Sequence, residues 1–475
     1  MSAPVYDLSD FDDDVDMSMF EDSSNSLKGS VYWPGIPDSK LFDYEVLDDQ
    51  VNVNLTPKGQ ALYRTEEAEI HDVDNMVFAQ FLGLQAENAK DLERRIENST
   101  GLPFISSEAI IDAAKKENRL EIRSEDEITT AHLIKPTSAQ IVSIDLSDLE
   151  QKCKVNTIRY GARNVASVYR NENGTIKPYM VKYPPSDAGL EARREENRMM
   201  AFEHAALEGL KRHGVQTVSS EIHKGRSGAN YLVTERFDGR SFDKDGSITK
   251  NEMYSPISWM QTVKKAQFEP LSASEAPRAM FELTKSHPLS EDVLTRHIFN
   301  KLIGNADAHG FNVGLISRME GGTVKRRIAP AFDVTPYLMG QSSSEAAEDF
   351  GLKGKILSNL SLQDLASSDS LINEMCYKSP EMAKKAYDRA IDARSTMMSI
   401  IEDELARDGL LEKSDVDAFK SYMTQPLGGL NNENSIENSM SSSGIFGFDG
   451  ASRDAFKQRA LNKDLSFDQT PNLSH

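Results

Sequence analysis

The run His297–Val313, HIFNKLIGNADAHGFNV, decides how this chain of 475 residues is read. Leu294, Ile298 and Leu302 recur every four residues, with Ser290 as a cap ahead of them and Gly304 as a stop, so the spacing predicts a helix up to Gly304. The helix leads into a polar loop holding Asp307, His309 and Asn312. A second acid, Asp333, arrives after the basic, β-like TVKRRIAP segment. Phosphoryl transfer asks for such a set: one carboxylate orients and deprotonates the attacking hydroxyl, while an amide and a second carboxylate hold Mg²⁺ against a triphosphate. The chemistry needs positioning and charge neutralisation more than covalent help, so a few hard oxygen ligands suffice.

Alone, D-x-H-x-x-N is too short to be specific, and its weight comes from what precedes it. TIRYGARNVASVYR and PYMVKY are β-rich and separated by the turn NENG, which predicts a hairpin. Lys182 sits in MVKY, where alternation puts Val181 and Tyr183 on the opposite face. A lone strand lysine is ordinarily a solvated edge residue, but this one has company. Glu191 to Leu210 carries Met199, Phe202, Ala206 and Leu210 on one helical stripe, and ANYLVTERF follows as a strand. Glycine-bearing hairpin, strand-borne lysine, helix, β-rich VTERFD, acidic loop and final aspartate are the ordered parts of a two-lobed kinase.

These residues resemble the HipA-like serine/threonine kinases of bacterial toxin–antitoxin systems. The family loop L-I-G-N-x-D-x-H-x-K-N is similar to Leu302-Ile303-Gly304-Asn305-Ala306-Asp307-Ala308-His309-Gly310-Phe311-Asn312, and its hinge V-E-R-F-D to Thr234-Glu235-Arg236-Phe237-Asp238. Gly161-Ala162-Arg163 and Val181-Lys182-Tyr183-Pro184 resemble its phosphate loop and lysine strand. The resemblance implies Asp307 as catalytic base, Asn312 and Asp333 as Mg²⁺ ligands, and Lys182 on the α/β-phosphates of ATP. It places the backbone of Gly161, Ala162, Arg163, Asn164 and Val165 over the phosphates, and Glu235, Phe237 and Asp238 around adenine and ribose. His309 either braces the catalytic loop or is a satisfied core histidine. Three departures stand out. The family's loop lysine is Phe311, its helix Asn-Glu reads Asn197-Arg198, leaving Glu195 or Glu196 to pair with Lys182, and its autophosphorylated serine is Ile158.

The expected fold is α+β, a two-lobed protein-kinase-like architecture with a small N-terminal α+β domain and disordered tails. Residues 1–30 form an acidic arm, 31–150 the small domain, 151–240 the N-lobe, 241–423 a mostly helical C-lobe and 424–475 a low-complexity tail. The arm holds too little apolar surface to order itself and reads as a solubilising tail or a mimic of nucleic acid. Ser379-Pro380 opens a later helix with Tyr387, Ile391, Met398, Ile401 and Leu405 on one side. Lys and Arg total 54 against 75 Asp and Glu, and the net charge of −21 repels a phosphate backbone, so direct nucleic-acid binding is not expected. Only Cys153 and Cys376 occur, which excludes a disulfide scaffold and a cysteine-rich zinc site. No apolar run approaches a membrane span, so a cytoplasmic protein is expected. Ser241–Glu252 fits a calcium loop at several positions but lacks its first aspartate and leading helix, and reads as a polar turn.

The expected activity is Mg²⁺–ATP-dependent phosphorylation of a serine or threonine on a protein substrate, by a toxin or regulatory kinase with a possible separate antitoxin. The alternatives are a pseudokinase that binds ATP without turnover and a kinase acting on a lipid or small molecule.

Overall fold

The computed structural model describes residues 26–424 except 37, 48–49, 85, 102–103, 118, 125–135, 161–162, 186–188, 266–267, 269, 285–288 and 340–342. The acidic arm up to residue 25, Gly161, Ala162 and the tail from 425 lie outside the described residues. The chain divides into two compact units, one through residue 132 that also takes in 263–268, the other formed by the rest.

The first unit is an antiparallel sheet with helices. Strands β1 (Leu27–Tyr32), β2 (Lys40–Leu47), β3 (Gln50–Leu55), β4 (Glu69–Val73) and β5 (Glu121–Ser124) stand in the order β4-β3-β2-β1-β5. Helices α1 (Pro57–Tyr63), α2 (Asn75–Phe81), α3 (Ala89–Thr100) and α4 (Ser107–Glu117) complete it. Thr56, Asp74 and Asn88 cap the first three by accepting a backbone N–H with their side chains. Phe42, Tyr63 and Phe81 pack edge to face at 5.0–6.0 Å in its core.

The second unit holds every candidate site residue. Its sheet contains β6 (Ile141–Val142), β7 (Thr157–Tyr160), β8 (Arg163–Glu172), β9 (Thr175–Tyr183), β10 (Ser220–Lys224), β11 (Asn230–Glu235), β12 (Arg240–Phe242), β13 (Ile248–Pro256), β14 (Gly314–Glu320) and β15 (Thr323–Ile328). The path runs β10-β11-β9-β12-β13-β14-β15, with β8 also on β9 and both β6 and β7 on β8. The expected hairpin forms β8 and β9, closing with Glu172 opposite Thr175. Asn173 and Gly174 both take positive φ, 53° and 91°, the geometry a two-residue hairpin turn needs.

Helices α5 (Leu149–Val155), α6 (Leu190–Arg212), α7 (Ile257–Lys265), α8 (Glu275–Thr284), α9 (Ser290–Ile303), α10 (Ser343–Glu348), α11 (Leu362–Ser368), α12 (Ser370–Lys378), α13 (Pro380–Ser399) and α14 (Lys413–Thr424) follow in chain order. The predicted stripes of α6 and α9 are buried as expected, and α9 ends where Gly304 turns left-handed at φ 72°. Ser290 is the first helical residue of α9 rather than its cap, which is Leu289 without a side-chain bond. The buried face of α13 also differs from expectation: Ala383, Ala386, Ala390, Ala393 and Met397 are fully buried, while Tyr387, Ile391 and Met398 sit at its margin. Small side chains let α6 approach closely, and a Cβ on Gly209 would stand 2.6 Å from the Ala393 carbonyl. The last turn, Ile400–Leu405, opens into a π-helix. Ser241–Glu252 is a hairpin turn, with Asp243 and Asp245 accepting from the Ser247 N–H and Glu252 paired with Arg327 at 2.8 Å. Among the described residues no helix is long and apolar enough to cross a membrane.

Candidate active site

Lys182 is placed by the sheet. It lies on β9 between Val165 of β8 and Leu232 of β11, and its neighbours Val181 and Tyr183 enter the core that also holds Val168, Tyr231 and Cys153. Lys182 therefore leaves the opposite face, where its ammonium meets Glu203 of α6 at 2.8 and 2.9 Å and Asp333 at 2.5 Å. Glu203 is only 1% exposed. A buried ammonium without an anion is costly, and this bidentate partner removes that cost.

The expected partners, Glu195 and Glu196, are thus corrected to Glu203. Glu195 pairs with Arg198 on the same helix. Glu203 lies four residues after Met199 and next to Phe202 on the buried side of α6, and an acid among buried apolar positions was the signal available in the sequence.

The loop after α9 is held by its own backbone and side chains. The Asn305 N–H donates to the Asn300 carbonyl at 2.8 Å, and Asn305 Oδ1 accepts the Asp307 N–H at 3.1 Å. Asn312 Nδ2 donates to the Asp307 carbonyl at 2.8 Å, which leaves its amide oxygen for other work. His309 Nδ1 accepts the Phe311 N–H at 3.2 Å, so the ring proton belongs on Nε2, 3.5 Å from Asp307 Oδ1. The histidine thereby spans the loop between Asp307 and Phe311. Sequence reasoning gave no role to Asn305, which is 2% exposed and anchors the start of the loop. Nor did it single out Tyr254, whose hydroxyl donates to the Phe311 carbonyl at 2.9 Å.

Asp333 follows β15 by five residues. Ala331 exchanges backbone bonds with the segment after α6, donating to Gln216 at 2.8 Å and accepting from Val218 at 2.9 Å. Asp333 itself has φ 52°, a left-handed conformation that aspartate tolerates better than most residues. Its side chain is 26% exposed and that of Asp307 is 32% exposed, so both carboxylates reach solvent. A shallow cleft runs past Asn312 and Asp333 to Arg296, His297 and Asn300 of α9.

Around the hinge, the Glu235 and Arg236 N–H groups donate to the Ser219 and Pro178 carbonyls at 3.0 Å each. The Phe237 N–H carries no hydrogen bond among the described residues. Asp238 is held in a two-point pair by Arg236, both contacts at 3.0 Å. Arg163, Asn164 and Val165 open β8, with Val165 opposite Lys182. The structure therefore brings Lys182 and Asp333 into direct contact and joins Asp307, His309 and Asn312 in one bonded loop.

Asn312 Oδ1 and the part-exposed Asp333 carboxylate are hard oxygen donors of the kind Mg²⁺ takes beside substrate phosphates. Both line one cleft, and since among the described residues no group of three or more His, Cys, Asp or Glu could hold a metal, the residues present fit a cation that substrate phosphates and water also ligate.

A protein-family model described as the HipA-like C-terminal domain matches residues 144–399, more than half of the chain. Among solved structures, the HipA–HipB–operator DNA complex of the Shewanella oneidensis MR-1 toxin–antitoxin system is similar, at 14% identity and TM-score 0.50 over 83% of this chain and 95% of that one. The Helicobacter pylori proinflammatory kinase CtkA matches at 14% identity and TM-score 0.33 over 56% of this chain and 90% of that one. No curated protein matches the chain.

Proposed function

The chain belongs to the HipA-like C-terminal domain family, and we propose that it is a Mg²⁺–ATP-dependent kinase acting on a serine or threonine of a protein substrate. The carrying observation is the Lys182–Glu203 pair with Asp333 at its open end, beside a loop that presents Asp307 and Asn312. Lys182 then meets the α/β-phosphates, and the open Phe237 N–H receives the adenine edge. Asp307 accepts the proton of the attacking hydroxyl, with the His309 Nε2–H steadying its carboxylate. Asn312 and Asp333 would hold Mg²⁺, which supplies charge neutralisation on the phosphate oxygens. A separate antitoxin, as in the Shewanella complex, belongs to the same reading, as does a cytoplasmic setting.

A second reading, an ATP-binding pseudokinase, draws on Phe311, which is 8% exposed and offers no charge where the family loop has lysine. Transfer from γ-labelled ATP by the full chain, alone and with cell extract, separates the two. Label on protein that disappears in Asp307→Asn establishes the kinase. ATP-dependent thermal stabilisation without label supports the pseudokinase, and neither response overturns the nucleotide site.

A further inference from the structure

Three aromatic rings from three different parts of the site meet in one cluster. Phe237 belongs to the hinge, Tyr254 to β13, and Phe332 immediately precedes Asp333. Their centroids lie 5.2 Å apart for Phe237–Tyr254, 5.1 Å for Phe237–Phe332 and 5.4 Å for Tyr254–Phe332. Both contacts of Tyr254 are edge-to-face at 86° and 88°, the arrangement ring quadrupoles favour. Buried Ile316 and Ala329 close the cluster from β14 and the end of β15.

Tyr254 also carries a polar link. Its hydroxyl donates to the carbonyl of Phe311, the residue before Asn312. Burial pushes its pKa well above the usual phenol value, so the hydroxyl stays a donor at any working pH. The next link follows along the loop, where the Ile257 N–H donates to the Val313 carbonyl at 2.8 Å. The loop segment 311–313 is therefore fixed from β13 and the start of α7, not only from α9.

We propose that Phe237, Tyr254 and Phe332 form a positioning hub that fixes Asn312 and Asp333 relative to a nucleotide base held at the hinge. The hub rests on the nucleotide-site reading above. A base bonded to the Phe237 backbone limits where its ring can sit, and packed rings move together or not at all. Through Phe332 that constraint reaches Asp333, and through the Tyr254 hydroxyl it reaches Phe311 and Asn312. The three are positioning residues, since none needs to touch the reacting phosphate.

Tyr254→Phe in the full chain keeps the ring and deletes the link to Phe311. A buried carbonyl left without its donor is expected to raise the Mg²⁺ concentration for half-maximal transfer about tenfold, and to lower kcat about tenfold at unchanged KM for ATP. Affinity for metal-free ADP stays within about twofold of wild type, because the hinge is intact. Phe332→Leu, which keeps apolar volume but removes two ring pairs, gives the same pattern and carries the test if Tyr254→Phe does not fold. The hub is overturned if the variants melt earlier while kcat and Mg²⁺ dependence match wild type, or if metal-free ADP affinity falls by the same factor as kcat. Hydrogen exchange on the wild-type chain needs neither variant nor turnover. Metal-free ADP should slow exchange at 311–313 and 332–334, and protection confined to 235–238 would refute the hub. A wild-type chain without transfer counts against the kinase reading alone, since this exchange pattern still decides the hub.

Discussion

Replacing Glu203 by glutamine tests whether the buried pair is what makes Lys182 usable. The substitution keeps shape and an acceptor oxygen but removes the charge facing an ammonium that is 9% exposed. Breaking a buried pair by neutralising one partner typically costs ~3–5 kcal/mol. Asp333 remains within 2.5 Å, so the low end applies, about 3 kcal/mol. For a unit of this size that corresponds to a fall in Tm of roughly 5 °C. The ammonium would then rely on Asp333 alone, and Mg²⁺ would compete with it for that carboxylate. Thermal melts with urea titrations read the stability, and the Mg²⁺ dependence of transfer reads the competition. The decisive control is Lys182→Met combined with Glu203→Leu. Removing both charges should bring stability back to within about 1 kcal/mol of wild type while abolishing transfer. The reasoning fails if Glu203→Gln melts like wild type, or if the double variant stays as unstable as the single one.

Gly304→Ala places a Cβ 1.8 Å from the Tyr422 hydroxyl at a residue with φ 72°, and should lower stability by at least about 2 kcal/mol in urea titrations. Gly228→Ala, at φ 79° with nothing within 4 Å, pays only the backbone strain, about 1 kcal/mol, so equal losses at the two sites would refute the contact argument. His297 gives a pH dependence. Burial lowers its pKa, partly opposed by its bond to Asp369 at 2.8 Å, where Lys301 at 3.1 Å also binds. Burial tends to raise the Asp369 pKa, but its bonds to His297 and the Ile372 N–H, with Lys301 nearby, hold it well below the usual carboxylate range, so the aspartate stays charged and the histidine neutral. The unfolded chain therefore takes up the His297 proton first. Stability contributed by this site is complete above pH ~6.5 and falls by up to about 1.4 kcal/mol per pH unit below it. His297→Gln should flatten that slope in urea titrations between pH 7 and 5, and a wild-type-minus-variant difference that does not change with pH would refute it.

The parts of the site that lie close together in the chain were legible in it. The α9 stripe, the Gly304 stop, the Asn173-Gly174 hairpin and the strand-borne Lys182 each carry a local rule, and each appears in the structure. Glu203 was not legible in the same way. Its partner lies 21 residues earlier, and among buried apolar positions an acid looks like an interruption unless the lysine it serves is already placed. Tyr254 offers still less, because its meaning comes from Phe311, 57 residues away, and from two rings on other segments. The alanine face of α13 was hidden for the opposite reason. Hydropathy favours the larger Tyr387, Ile391 and Met398, while the closest helix approach is made by the smallest side chains.

Phe311 shows why geometry and charge must be weighed separately at this loop. Its N–H is taken by His309, its carbonyl by Tyr254, and its neighbour Asn312 is bonded to Asp307. None of these bonds uses the side chain at 311, so exchanging lysine for phenylalanine leaves the loop's path intact. The ring finds its own place, 8% exposed and 6.1 Å edge-on from His309. Under the proposed phosphoryl transfer, the exchange removes one positive charge from beside the developing phosphate, an effect on the order of 10²–10³ in rate by comparison with a single oxyanion donor. In the proposed function, nucleotide binding draws on Lys182 and the hinge, and the bond that ties Phe311 toward the hinge through Tyr254 uses its backbone carbonyl, which a lysine would offer equally. On the proposed kinase function, the expected outcome is lower turnover at ordinary ATP affinity.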